Sequence, residues 1–91
     1  MNEPAADLAL AAAMVSSFRN LPIEQNTVCF GEIGLAGELR PVHATESRLK
    51  EAAKLGFNHA VIPQASEKLD VKGMRISSCR SLSDALDVLF G

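Results

Sequence analysis

The segment Gly31-Glu32-Ile33-Gly34-Leu35-Ala36-Gly37-Glu38-Leu39-Arg40-Pro41-Val42 constrains this chain more than any other. Gly34 and Gly37 supply the permissive backbone that a tight reversal needs, and apolar and charged residues alternate on either side, so a β-hairpin is expected here. Glycine also recurs at every third position, Gly31, Gly34 and Gly37. A dinucleotide-binding loop needs G-x-G-x-x-G opening a helix, whereas this segment leads into Glu38-Leu39-Arg40-Pro41-Val42, a second strand.

The elements around the hairpin alternate in type. From Ala5 to about Arg19 the spacing is helical, with Leu8, Ala11, Ala12, Val15 and Phe18 expected on one inward stripe. Leu10 and Met14 widen that stripe towards an all-round apolar helix, which must be covered on several sides. Pro4 suits the first turn, Asp7 complements the helix dipole, and Asn20-Leu21-Pro22 ends the helix. Thr27-Val28-Cys29-Phe30 is rich in strand formers. A second helix is expected from about Thr45 to Leu55, with Leu49, Ala52 and Ala53 inward, Glu46, Arg48, Lys50, Glu51 and Lys54 outward, and Gly56 closing it. His59–Pro63 and Met74–Ser77 read as strands, and Ser81 caps a final helix whose inward stripe is Leu82, Ala85, Leu86 and Leu89. The resulting order, helix, hairpin, helix, strand, strand, helix, is that of an α/β fold.

Size and composition narrow the function classes. A chain of 91 residues forms one small domain, burying little more than about 60% of its unfolded surface. With 47% hydrophobic residues, 22% charged residues and a net charge of −2, it belongs to the globular class and carries no global basic field for nucleic acid. The apolar run from Ala9 to Val15 is far shorter than the roughly 20 residues of a membrane span, and Glu3 stands where a signal peptide would be positive. A cytoplasmic domain with no membrane role is expected. Cys29 and Cys79, fifty positions apart, are expected as buried reduced thiols, and His43 and His59 lack the spacing of metal ligands.

Four stretches carry a resemblance: Glu3-Pro4-Ala5-Ala6-Asp7-Leu8-Ala9, Phe30 through Val42, Arg48-Leu49-Lys50-Glu51-Ala52-Ala53-Lys54-Leu55-Gly56-Phe57, and Ala60-Val61-Ile62-Pro63. Through them residues 3 to 91 resemble the C-terminal part of the RadA (Sms) family of bacterial DNA repair proteins. That resemblance implies the C-terminal portion of a Lon-protease-like (ribosomal protein S5 domain 2-like) domain and marks residues 1–91 as a piece of a longer protein. Active Lon-type peptidases carry a nucleophilic serine after the proline that aligns with Pro4, and a lysine base five positions after the one that aligns with Pro41. Here those positions hold Ala5 and Glu46. An alanine methyl cannot form an acyl-enzyme, and a carboxylate replaces the amine base, so the catalytic set is empty.

For the parent protein the resemblance implies an ATP-dependent factor that forms homo-oligomeric rings and promotes branch migration of recombination intermediates. The resemblance also implies that its ATP, Mg and Zn sites lie upstream; no G-x-x-x-x-G-K-[ST] occurs in these residues, and no cofactor is expected in this chain. The expectation is therefore a noncatalytic scaffold or oligomerisation domain of a DNA-dependent ATPase; the alternative is an ATP-dependent Lon-type serine peptidase domain. Ser47-Arg48-Leu49-Lys50 fits the S-x-x-K of penicillin-binding enzymes, but no S-D-N or K-T-G accompanies it. Arg40, Arg48, Lys50 and Lys54 form a basic set interleaved with Glu46 and Glu51, which can pair with Lys50 and Lys54. Any DNA contact through those four residues is expected to be weak and sequence-independent, the set being mainly a solvated helix face.

Overall fold

The computed structural model describes residues 4–65 and 68–91, so Glu3 of the first quoted stretch lies outside the described residues. A 3-10 turn, Pro4–Ala6, leads into α1, Asp7–Arg19. Then follow β1 (Thr27–Cys29), β2 (Glu32–Ile33), β3 (Leu39–Arg40), α2 (Thr45–Lys54), β4 (His59–Pro63), β5 (Arg75–Cys79) and α3 (Leu82–Phe90). The element order is the expected α/β one. Strands β1, β4 and β5 form a parallel sheet with β4 in the middle, and β2 and β3 form the antiparallel hairpin.

All five residues of β4 are buried because each sheet face carries its own core. Val28, Ala60, Ile62 and Ile76 point to one side, where Leu49, Ala52 and Ala53 of α2 meet them together with Phe30, Val71 and Met74. Cys29, Val61 and Cys79 point to the other side, against Leu8 of α1, Ala85, Leu82 and Leu89 of α3, and the hairpin's Ile33 and Leu39. The strand period of two thus divides one short sheet between two hydrophobic clusters.

The hairpin is fastened at both ends. Its turn closes through Gly34 N–H to the Glu38 carbonyl (2.8 Å) and Gly37 N–H to the Gly34 carbonyl (3.0 Å). The Glu38 carboxylate folds over the turn, accepting from Ala36 N–H and from Arg40 Nη2, each at 3.0 Å, in space that a Cβ on Gly34 would fill. Leu39 N–H donates to the Arg80 carbonyl and Leu82 N–H to the Gly37 carbonyl, both at 2.9 Å, which stitches the hairpin to the β5–α3 junction. At the other end, Gly31 N–H donates to the Ala5 carbonyl (2.9 Å), the Gly31 carbonyl accepts from Leu8 N–H (3.0 Å), and Asp7 Oδ2 accepts from Ile33 N–H (3.1 Å). Asp7 therefore satisfies a hairpin amide from the first turn of α1.

Several boundaries differ from expectation for local reasons. Phe30 leaves the strand: β1 ends at Cys29, and Phe30 keeps one bond, its N–H to the Val61 carbonyl at 3.3 Å. Met74 precedes β5, bonding back to the Val71 carbonyl in a turn while its side chain fills the α2-side core, and the strand runs on to Cys79. Phe18 is not on the inward stripe of α1. It is 92% exposed, because ten residues at 100° each carry it about 80° round the helix from Leu8. Asn20 ends α1 in the left-handed conformation (φ 56°), and Gly56 (φ 98°) lets the chain leave α2. Ser81 caps α3, its Oγ accepting from Asp84 N–H at 3.1 Å.

A Cβ at Gly31 would lie 2.8 Å from Pro63 Cγ and 3.1 Å from Pro63 Cδ. Gly31→Ala is expected to lower stability by about 1–3 kcal/mol, the usual range for forced overpacking. In a urea-denaturation double-mutant cycle with Pro63→Ala, part of that loss should be recovered once the ring is gone. A cycle with no coupling would place the strain elsewhere.

Candidate functional site

Ala5, which the resemblance would set at a peptidase nucleophile's position, lies in a cleft of about 220 Å³ lined by Pro4, Ala5, Glu32, Pro41, Val42, His43 and Arg48. The 3-10 turn places Ala5 there with only 4% exposure, and its carbonyl is committed to Gly31 N–H. What this residue brings to the cleft is a methyl group. Glu46, aligned with the lysine base, is not among the lining residues: its carboxylate pairs with Lys50 Nζ at 2.9 Å on the exposed face of α2. The cationic residue in the cleft is Arg48, half-buried rather than fully outward, with Nε donating to the His43 carbonyl at 2.8 Å. A guanidinium stays protonated and cannot serve as a general base. No serine, threonine, cysteine or lysine lines this cleft among the described residues, so it presents no hydroxyl, thiol or amine of the kind a Ser-Lys peptidase uses.

The basic set divides in two. Arg40 sits directly across the hairpin from Glu32, with ion pairs to Glu32 (3.8 Å) and Glu38 (3.0 Å). Hydrogen bonds from the backbone N–H of Glu38 itself, from Arg40 and from Ala36 N–H hold the Glu38 carboxyl below its ordinary range. Lys50 is answered by Glu46, as expected from their i,i+4 spacing. The expected pairing of Glu51 with Lys54 does not form, and Lys54 has no ion-pair partner among the described residues. Arg48 thus lines the cleft and Arg40 is paired on the hairpin, while Lys50 and Lys54 lie along the solvated face of α2.

The other polar candidates are structural or were missed. Cys79 is buried and Cys29 half-buried, both are free, and burial pushes both thiols up, with the Asp84 charge adding to Cys79. Neither is an activated nucleophile. Among the described residues no three His, Cys, Asp or Glu side chains gather in a way that could hold a metal ion. His59 is buried and satisfied, Nε2 lying 2.8 Å from Ser77 Oγ and Nδ1 3.2 Å from Arg75 Nη2. Desolvation, then the Arg75 charge, push its pKa below the ordinary value, with Glu24 opposing. The sequence did mark this cluster: the polar residues Thr27, His59 and Arg75 each open a strand.

The remaining feature is apolar. Leu10, Met14 and Phe18, at i, i+4 and i+8 on α1, are 62%, 72% and 92% exposed and form a ridge turned away from the buried Leu8 and Ala12. The two-sided apolar character expected of this helix is therefore present, with only one side covered. Among the described residues no helix is long and apolar enough to cross a membrane.

Comparison with known proteins follows the same lines. Residues 2–66 match the family model described as subunit ChlI of Mg-chelatase. Proteins called DNA repair protein RadA are similar over nearly the whole chain. The Escherichia coli K12 protein is 52% identical over 89 residues (97% of this chain, 19% of that protein). The Haemophilus influenzae protein is 49% identical over 90 residues (98% and 20%), and the Aquifex aeolicus protein 46% identical over 90 residues (99% and 20%). The chain spans about a fifth of the length of these relatives.

Two outcomes are expected. Neither the chain nor Ala5→Ser should cleave casein or fluorogenic peptides, since restoring a hydroxyl restores no base; cleavage that follows the protein through repurification would overturn this reading of the cleft. The depressed pKa of His59 also ties stability to pH. Below the ordinary value of 6.5 the unfolded chain takes up a proton that the folded chain resists, so stability should fall as pH drops through 6.5 and level off above it. In melting curves from pH 7.5 to 5.5, His59→Gln should show a shallower dependence than the parent.

Proposed function

The chain belongs to the family described as subunit ChlI of Mg-chelatase and is homologous to a segment of the DNA repair protein RadA, and on that premise we propose that it is the noncatalytic, Lon-protease-like assembly domain of a RadA-type DNA repair protein. The observation that carries this reading is an identity of 46–52% over nearly the whole chain, combined with a methyl group where a peptidase would need its nucleophile. On this reading the parent is a DNA-dependent ATPase that assembles as a ring, and its ATP, Mg and Zn are bound by the other four-fifths of the protein. The Leu10–Met14–Phe18 ridge gives assembly a physical basis, because large exposed apolar residues on one helix face release water when a partner covers them.

DNA contact plays a secondary role. Glu32, Glu38 and Glu46 already neutralise Arg40 and Lys50, so few charges remain to displace counterions from phosphates.

Light scattering coupled to gel filtration tests the assembly role. The chain should self-associate with rising concentration, or else melt at low temperature, and Met14→Glu/Phe18→Glu should yield a monomer. A parent that is monodisperse and monomeric at high concentration with a high melting temperature would sink the proposal. For DNA, anisotropy should show a slope of log affinity against log salt of at most roughly 2 to 4, with binding lost near about 0.15 M salt. Arg48→Ala/Lys50→Ala/Lys54→Ala should remove what binding there is; an unchanged triple variant would show these residues to be only solvated surface.

A further inference from the structure

The polar residues at the start of the parallel sheet line a pocket of about 270 Å³, made by Glu24, Thr27, His59, Arg75, Ser77, Val88 and Leu89. The register aligns Thr27, His59 and Arg75 across the three strands, so they share one face, and Ser77, two residues beyond Arg75, lies on that face as well. Val88 and Leu89, in the last turn of α3, form the opposite wall.

The hydrogen bonds fix which groups are left for a ligand. Arg75 is only a donor, so His59 Nδ1 must accept from it, and Nε2 therefore carries the proton and donates to Ser77 Oγ. The imidazole is neutral and fully used. Ser77 Oγ, accepting from the ring, keeps its own O–H to donate. Thr27 Oγ1 is buried with no hydrogen-bond partner among the described residues and lies out of a ligand's reach, so it is a polar cost carried by the fold. Arg75 retains further N–H groups beyond the one aimed at His59. Two donors, the Ser77 hydroxyl and the remaining Arg75 N–H groups, are thus available from one sheet face, while Glu24 adds a carboxylate to the lining and the negative end of the α3 dipole lies on the wall.

One fixed cation and one fixed anion in the lining favour a ligand with both characters, and they disfavour a dianion. We propose that this pocket binds a small carboxylate carrying an amine or hydroxyl on the adjacent carbon, with the carboxylate on Arg75 and Ser77 and the donor group on Glu24. Val88 and Leu89 would receive a short apolar side chain. The site is separate from the cleft at Ala5 and from the α1 ridge, and it stands whether or not the assembly role does.

The test is an amide NMR titration of the 91-residue chain with L-alanine and L-lactate, with acetate and inorganic phosphate as comparisons. Saturable shifts confined to Thr27, His59, Arg75 and Ser77 are expected with alanine and lactate, and affinities about tenfold weaker or worse with acetate and phosphate. Ser77→Ala should weaken binding several-fold, whereas Thr27→Val, whose hydroxyl is out of reach, should titrate like the parent and melt no lower. Arg75→Gln should abolish saturation, and Glu24→Gln should weaken alanine while strengthening phosphate. Shifts that grow linearly with every ligand, phosphate binding as tightly as alanine, or a Ser77→Ala variant that titrates like the parent would each overturn the proposal.

Discussion

Three parts of the molecule meet at Gly31, and the packing on the hairpin side of the sheet depends on that meeting. Its N–H and carbonyl bracket the entry to α1, the following residues open the hairpin, and the missing side chain leaves room for the Pro63 ring at the end of β4. A backbone passing this close satisfies two polar groups that would otherwise face the core, and it carries α1 over the sheet so that Leu8 is completely buried. Ala5 is held by the same two-way clasp, its carbonyl accepting from Gly31 N–H.

The charges of the hairpin and of the first turn of α2 are answered locally. The hairpin places Glu32 opposite Arg40 and folds Glu38 over its own turn, and α2 pairs Glu46 with Lys50. Exposed pairs of this kind add little stability, on the order of 0–1 kcal/mol each, but they remove the local fields that would draw in a polyanion. Among the exposed large apolar side chains, Leu10, Met14 and Phe18 are the ones that stand in a row on one helix face.

Much of the fold was legible because its signals are local. The glycine turn, the Ser81 cap, the Asn20 and Gly56 helix ends and the continuously apolar β4 each act within a few residues, and each element appeared where those signals put it. Phe18 and Phe30 misled for the opposite reason. Their hydrophobicity suits a core, but helix phase decides the fate of the first, and the bend into the hairpin takes the second out of its strand. The sequence singled out Ala5 and Glu46 together, but packing brings Arg48 to the cleft beside Ala5 and leaves Glu46 on the surface of α2. The polar cluster at the strand starts escaped notice because Thr27, His59 and Arg75 are far apart in sequence and are joined by parallel register alone.

That parallel register also sets the pace at which the domain can form. Thr27 meets His59 only after the hairpin and all of α2 have been looped out between them, and β4 meets β5 only across another excursion. Two of the three strands flank β4 and share no hydrogen bonds with each other, so neither gains a ladder until the middle strand arrives. Loop closure is therefore spent before sheet pairing returns anything, which makes folding a late, concerted docking around β4 rather than a stepwise growth from the N-terminus. During synthesis, α1 with its bare apolar ridge and β1 with an unpaired edge must wait until the second half of the chain is made.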